Sequence, residues 1–453
     1  MRARRRRDRA GMTVMATSPN ATGDLVARLH DRRASIAVLG QGYVGLSLAC
    51  TAAQRGFTIA GIDIDEERVA ELSSGVLRVP GVNERAFSKG VSSELLHFTT
   101  NPDAIAKADV VVICVPTPLT DHVPDLSFVR ATCATIAQRL TPGTLVVVES
   151  TTYPGTTEDL VLPLLESSGL TAGRDFWLAY CPERIDPGNE EFDLSSIPRV
   201  LGGIDKESSA VAALFYQQLV DEVVTVSSCR AAELAKLLEN TFRHVNIALV
   251  NEMAMLCHET DIDVWEVILA AASKPFGFMP FYPGPGIGGH CIPLDPAYLA
   301  WQIRRDVGHQ FRMLEQSQDI NAQMPAYVGA RISDALNATG MTVKGTRILI
   351  LGVAYKPGVG DVRESPSLKV MEWLARRGAD VIWHDPYVET VTLNGLPVGR
   401  IDLNSEGLRN AGCVALLTPH DAYDLDWIAG DSALVFDARN AYGDDLYTNV
   451  VRL

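Results

Sequence analysis

Apolar residues in the first half of the chain fall into short continuous runs: SIAVL (35–39), FTIAGIDI (57–64), ADVVVICVP (108–116), TLVVVES (144–150) and FWLAYCP (176–182). A strand that is apolar on both faces is buried on both, so these runs, separated by helical segments, predict a parallel sheet covered by helices. Beyond residue 226 the pattern becomes one long helix, roughly Cys229 to Thr260, with no internal Gly or Pro and a wide apolar face. At 1.5 Å per residue it spans about 45 Å and outruns a small domain, which makes it a connector between two lobes and a candidate dimer surface. A Gly/Pro-rich stretch, KPFGFMPFYPGPGIGGHCIPLDP (274–296), must be an ordered loop if it has a function. Strands then resume with TRILILGVAY (346–355), ADVIWHD (379–385), GCVALLT (412–418) and ALVFDAR (433–439). The expected fold class is α/β, with two doubly wound domains joined by a central helical domain.

Length and charge narrow the class. The 453 residues have room for two or three domains, here placed at 34–226, 227–326 and 327–453. Hydrophobic residues make up 47% and charged residues 21%, the balance of a globular protein. A net charge of −15 disfavours a nucleic-acid partner, which needs a basic surface. No apolar run approaches the length of a membrane span. The basic start, MRARRRRDRAG, lacks the apolar stretch of a secretory signal, so residues 1–33 read as a disordered tail. The eight cysteines form no CxxC pair and no cluster with metal-ligand spacing, so no metal is expected, and reduced, packed thiols in a cytoplasmic protein are.

The run 35–39 leads directly into Gly40-Gln41-Gly42-Tyr43-Val44-Gly45 and then into helix-compatible sequence. The first glycine permits the tight turn, the second lets a pyrophosphate approach the backbone, and the third lets helix and strand pack closely. Asp63 ends the next strand, where a carboxylate can bind both ribose hydroxyls and would repel a 2′-phosphate, so NAD is expected rather than NADP. Arg68, one helical turn or so further on, is grouped with this site. Both α/β halves are therefore read as Rossmann-like, with the cofactor on the first.

Cys291 lies in Gly288-Gly289-His290-Cys291-Ile292-Pro293-Leu294-Asp295. If a helix begins at Pro293, Asp295 stands one turn from the thiol. A thiol with a nearby carboxylate can form a covalent intermediate and then activate water. On the long helix Lys236 and Asn240 are four apart and share a face. They could stabilise oxyanions at a reacting carbon, or Lys236 could be a surface side chain running along apolar neighbours.

GQGYVG (40–45), ICVPTP (113–118), ESTTYPGTT (149–157), CPER (181–184), AKLLENTFRHVNIALVNE (235–252), PGPGIGGHCIPLDP (283–296) and GVAYKPGVGDVRESP (352–366) resemble, in order, the signature segments of the UDP-glucose/UDP-mannosaminuronate dehydrogenase family. The resemblance implies a four-electron oxidation of the C6 hydroxyl of a nucleotide sugar, with two NAD+ consumed, through thiohemiacetal and thioester forms of Cys291. It implies that Lys236 and Asn240 polarise the reacting oxygen, that Asp295 activates water, and that Thr151 and Glu183 order water or protons beside the cofactor. Thr117 would meet the nicotinamide side. Lys356, Arg363 and Arg439 would serve diphosphates or the catalytic cleft, Arg363 together with Thr151 as cofactor contacts, with Phe281, Tyr282 and Gly288 on the substrate side and a homodimer as the assembly.

The glucose-specific branch shows Phe-Pro-Lys-Asp where this chain has Ile292-Pro293-Leu294-Asp295, and Pro187 stands where some glucose enzymes carry a second glutamate. His290 and the FYPGPGIGG segment (281–289) look more like the branch oxidising N-acetylhexosamines. UDP or dTDP, and glucose or an N-acetylhexosamine, stay open at this point. The rival readings are a two-electron dehydrogenase of the hydroxyacid or 6-phosphogluconate type, which needs a lysine but no thiol, and a non-catalytic NAD-binding protein.

Overall fold

A computed structural model describes residues 21–79, 81–120, 123–185, 194–289, 291–443 and 447–453; within it the side chains of Ala21, Thr22, Cys291 and Pro293 are not described. The first sheet has eight strands: β1 (Ser35–Leu39), β2 (Thr58–Ile62), β3 (Leu96–Thr99), β4 (Val110–Ile113), β7 (Leu145–Val148), β8 (Trp177–Tyr180), β9 (Arg199–Gly203) and β10 (Val223–Thr225). Two short strands, β5 (Leu119–Thr120) and β6 (Val123–Pro124), pair outside it. The spatial order is β3-β2-β1-β4-β7-β8-β9-β10, parallel except between β8 and β9. Continuous apolar runs behave as expected for such a sheet. Ile36 and Val38 of β1 enter one core, Ala37 and Leu39 the other, and β4 divides in the same way.

The second sheet is fully parallel: β11 (Arg347–Leu351), β12 (Asp380–His384), β15 (Cys413–Leu416), β16 (Val435–Asp437) and β17 (Val450–Arg452), in the order β12-β11-β15-β16-β17. A small antiparallel pair, β13 (Thr392–Leu393) and β14 (Leu396–Pro397), stands beside it. In both sheets the strand order reverses direction next to the first strand, between β1 and β4 and between β11 and β15. Such switch points open a crevice at the carboxyl ends of the strands.

The long helix covers Cys229–Glu259, capped by the Ser228 side chain. Against it pack the Cys291–Asp306 and Arg312–Ala338 helices. Three expectations change. The tail expected to be disordered to residue 33 includes a helix, Ala21–His30, because Leu25 and Leu29, one turn apart, are fully buried in the first core; residues 1–20 lie outside the described residues. The boundary expected at 326/327 falls inside the continuous Arg312–Ala338 helix. The helix expected to start at Pro293 starts at Cys291, so Cys291 and Asp295 share its first turns. Among the described residues no helix is long and apolar enough to cross a membrane.

Candidate active site

Loops leaving the carboxyl ends of strands from both sheets close on one cavity of about 540 Å³. From the first sheet come Gly42, Tyr43 and Val44 after β1, residues 114–117 after β4, Glu149 and Thr151 after β7, and Glu183 after β8. From the second come Tyr355, Lys356 and Arg363 after β11 and Arg439 after β16. The long helix adds Lys236, Asn240, Arg243 and Ile247, which repeat at helical spacing and so face one way. Tyr282, Gly288 and Asp295 complete the lining from the Gly-rich loop and the helix after it.

Asp295 is only 4% exposed, and its carboxylate accepts a hydrogen bond from the Asn240 amide. Burial pushes its pKa up to about 6, against the pull of the Lys236 ammonium and the Asn240 amide. A carboxyl group, an amide and an ammonium thus meet beside the backbone of Cys291, whose side chain is outside the described atoms. His290 and Pro187, singled out in the sequence, are also outside the described residues.

The nucleotide-binding end follows the glycine pattern. The Tyr43–Gln54 helix starts at the loop, and a Cβ at Gly42 would meet nothing within 4 Å, whereas one at Gly45 would stand 1.9 Å from the Gly40 carbonyl oxygen. Open backbone at a helix N-terminus suits a pyrophosphate. Asp63 does not line the cavity; its carboxylate accepts from the Gln41 N–H at 2.7 Å, the Asp65 N–H at 3.0 Å and Arg68 at 3.3 Å. With three donors on roughly four acceptor positions and some exposure, the acid keeps capacity for a ribose hydroxyl. Arg68 is tied to Asp63 and Asp65 and is likewise away from the lining.

Thr117 is buried, and its carbonyl accepts from the Tyr298 hydroxyl at 2.6 Å. Arg363 lines the cavity while paired with Asp361 at 2.6 Å. Arg439 donates to the Leu417 carbonyl, and burial pulls its pKa down to about 10. It rests on Gly284, where a Cβ would stand 2.3 Å from the guanidinium, so a larger residue there would have to displace the Arg439 head from its place. Phe281 is corrected. It is absent from the lining and packs edge-to-face on Phe242 at 5.7 Å, while Tyr282 lines the cavity and stacks on Trp265.

Residue-by-residue reading missed a buried charge network. Arg199, 1% exposed, pairs with Glu149 at 3.2 Å and Glu183 at 3.1 Å, and the Tyr216 hydroxyl donates to Glu149 at 2.5 Å. Burial pushes Glu149 up to about 7 against the opposing Arg199 charge. The Arg184 and Ile185 N–H groups donate to Glu183 as well, fixing its carboxylate at the cavity wall. A lone arginine in IPRVLGG (197–203) carries no sequence signal for this role.

Comparison with known proteins now bears on the same elements. Residues 34–220 match the NAD binding domain of the UDP-glucose/GDP-mannose dehydrogenase family, residues 230–323 its central domain and residues 349–444 its UDP binding domain. The chain belongs to this family. It is an NAD-dependent nucleotide-sugar 6-dehydrogenase, and the two-electron hydroxyacid alternative gives way to three matched domains in order. The chain is 34% identical over 412 residues to a UDP-N-acetyl-D-mannosamine dehydrogenase of Pyrococcus horikoshii, covering 89% of this chain and 95% of that protein. It is 35% identical over 393 residues to a UDP-N-acetyl-D-glucosamine 6-dehydrogenase of Pseudomonas aeruginosa, covering 86% and 88%. The solved structure of the Pyrococcus horikoshii UDP-D-ManNAc dehydrogenase superposes with a TM-score of 0.83 at 32% identity, covering 92% of this chain and 98% of that one.

Proposed function

We propose that the protein oxidises the C6 hydroxymethyl group of a UDP-N-acetylhexosamine to a carboxylate, with Cys291 as the covalent nucleophile. The observation that carries the reading is the meeting of Lys236, Asn240 and Asp295 in one cleft, between the glycine loop and the cations of the second sheet. The acetamido sugar is favoured over glucose because relatives covering most of the chain are named for N-acetylmannosamine and N-acetylglucosamine substrates.

NAD+ supplies the hydride acceptor when bound. In the first oxidation C6 gives up a hydride, its hydroxyl gives its proton to water held at the cleft wall by Thr151 and Glu183, and C6 becomes an aldehyde. The Cys291 thiolate adds to that carbon. Lys236 and Asn240 hold the negative oxygen of the thiohemiacetal. Loss of a second hydride leaves a thioester. Asp295 takes a proton from water, the hydroxide attacks the thioester, and the carbon–sulfur bond breaks to return the thiol and release the carboxylate. Thr151 and Glu183 order water at the cleft wall, and Thr117 borders the nicotinamide. Gly40, Gly42, Tyr43, Val44, Gly45, Asp63 and Arg68 serve the dinucleotide. Arg363 is assigned to the cofactor, and Lys356, Arg439, Tyr282 and Gly288 serve the nucleotide sugar.

The long helix supports a homodimer. Leu234, Leu238, Phe242, Leu249 and Leu256 are all exposed and, at about 100° per residue, fall on one stripe opposite the cleft-facing Lys236 and Asn240. Consumption of NAD+ and an activated sugar supports a cytoplasmic location. The test is a panel of UDP- and dTDP-linked hexoses followed by NADH formation and product mass. Two NADH per sugar and a product with one more oxygen and two fewer hydrogens are expected with a UDP-N-acetylhexosamine. One NADH per sugar, or preference for UDP-glucose, would overturn the reading.

A further inference from the structure

The two α/β units share a tight turn after their first strands. In the first, Gly40 follows β1 with φ +92°, its N–H donates to the Ile62 carbonyl at 2.8 Å, and a Cβ there would stand 2.6 Å from the Cys114 carbonyl oxygen. Asp63, directly after β2, accepts the next N–H of the loop, that of Gln41. In the second unit Gly352 follows β11 with φ +83°, donates to the His384 carbonyl at 3.0 Å and would place a Cβ 2.2 Å from the Thr418 carbonyl oxygen. Asp385, directly after β12, accepts from the Val353 and Ala354 N–H groups at 2.8 and 3.0 Å. The same turn and the same acid therefore occur twice.

The two acids differ in what else they hold. Asp63 retains some exposure, whereas Asp385 is fully buried and accepts two more donors, the Tyr387 N–H at 2.9 Å and His420 Nε2 at 3.0 Å. Three of these donors converge on Oδ2 and the Tyr387 N–H takes Oδ1, and with the carboxylate fully buried no ribose hydroxyl can reach it. His420 Nδ1 lies 3.1 Å from the Gly358 nitrogen; a backbone N–H can only donate, so Nδ1 accepts and Nε2 carries the proton given to Asp385. The ring is held between Tyr387 and Tyr423, at 5.0 and 5.6 Å. From the other side the Thr418 hydroxyl donates to the Ala354 carbonyl at 2.7 Å. The stretch 354–358, which carries Tyr355 and Lys356 into the cleft, is thus tied at both ends, and Gly288 and Gly289 pack on Tyr355.

We infer that His420 is a positioning residue: by bridging Asp385 to Gly358 it holds the Lys356 loop at the cleft and turns the second unit's acid from a ribose ligand into an anchor. The second unit is thereby committed to the phosphates of the nucleotide sugar and closed to a second dinucleotide. The inference rests on Lys356 contacting the nucleotide sugar.

Two isosteres separate the two halves of the bridge. In His420→Asn the amide oxygen occupies the place of Nδ1 and keeps an acceptor for Gly358. In His420→Gln the amide nitrogen reaches toward the place of Nε2, keeping the donor to Asp385 and losing the acceptor. H420Q is expected to raise the KM for the nucleotide sugar about tenfold while the KM for NAD+ moves less than about twofold, and H420N to recover most of that loss. Equal rises in both KM values in H420Q, or no rise in the sugar KM, would overturn the inference. Lys356→Met is measured in parallel. If K356M leaves the sugar KM unchanged, the reading of Lys356 falls and takes this inference with it; if K356M raises it and H420Q does not, the positioning role alone falls.

Discussion

Asp295 illustrates how little of a residue's chemistry is written in its type. The spacing to Cys291 is visible in the sequence, but the pKa of about 6 comes from burial and from two partners 55 and 59 positions away along the chain. In its proposed role as the water-activating base it must be ionised, so kcat is expected to fall as pH drops through about 6 and to level off above it, read from a kcat–pH profile. Both hydride transfers precede that step. In D295N a burst of two NADH per active site should therefore precede turnover slowed by about 100-fold or more; a variant slowed without a burst would contradict the assignment. Asn240→Ala removes a hydrogen bond that favours the carboxylate, so the acid limb of its residual activity should move to higher pH. Phe281 shows the opposite case: an aromatic beside a glycine-rich loop invites a pocket reading, and packing on Phe242 claimed it instead.

Among the elements, the Cys229–Glu259 helix joins the lobes through specific contacts. Glu233, fully buried on this helix, accepts from the Gly155 N–H at 2.6 Å, the Thr157 N–H at 2.9 Å and the Thr157 hydroxyl at 2.7 Å. That pins the loop after Thr151 one turn from Lys236. Glu233→Ala leaves two buried N–H groups without an acceptor and is expected to lower stability by about 3 kcal/mol, measured by denaturant unfolding. Gly284→Ala drives a methyl group into Arg439 and should raise the KM for the nucleotide sugar while leaving that for NAD+ unchanged. Strands β1, β4 and β11 were legible because their apolar runs are unbroken. Strand β9, with Gly202 and Gly203 among its five residues, and β3, β10 and β17, of three or four residues each, were too short or too weakly apolar to read.

At the scale of the whole molecule, Arg452 of the last strand pairs with Asp263 at 2.7 Å, fastening the second sheet to the central helices around the shared cleft. The apolar stripe on the far side of the long helix predicts assembly: Leu249→Glu with Leu256→Glu should convert a dimer to a monomer in sedimentation, and a wild-type monomer would contradict the proposal. Rules acting over a turn or a strand were sufficient to determine from sequence the two doubly wound halves, the long helix, the glycine loop and the Cys291–Asp295 spacing, because each is set by neighbours within a few residues. Only the tertiary structure decided that Asn240 meets Asp295, that Glu149 and Glu183 share Arg199, and that His420 reaches Gly358, 62 residues away. Those contacts arise when the carboxyl edges of two sheets close on one cleft, where exclusion of water, more than residue type, sets which carboxyl groups can exchange a proton near neutral pH.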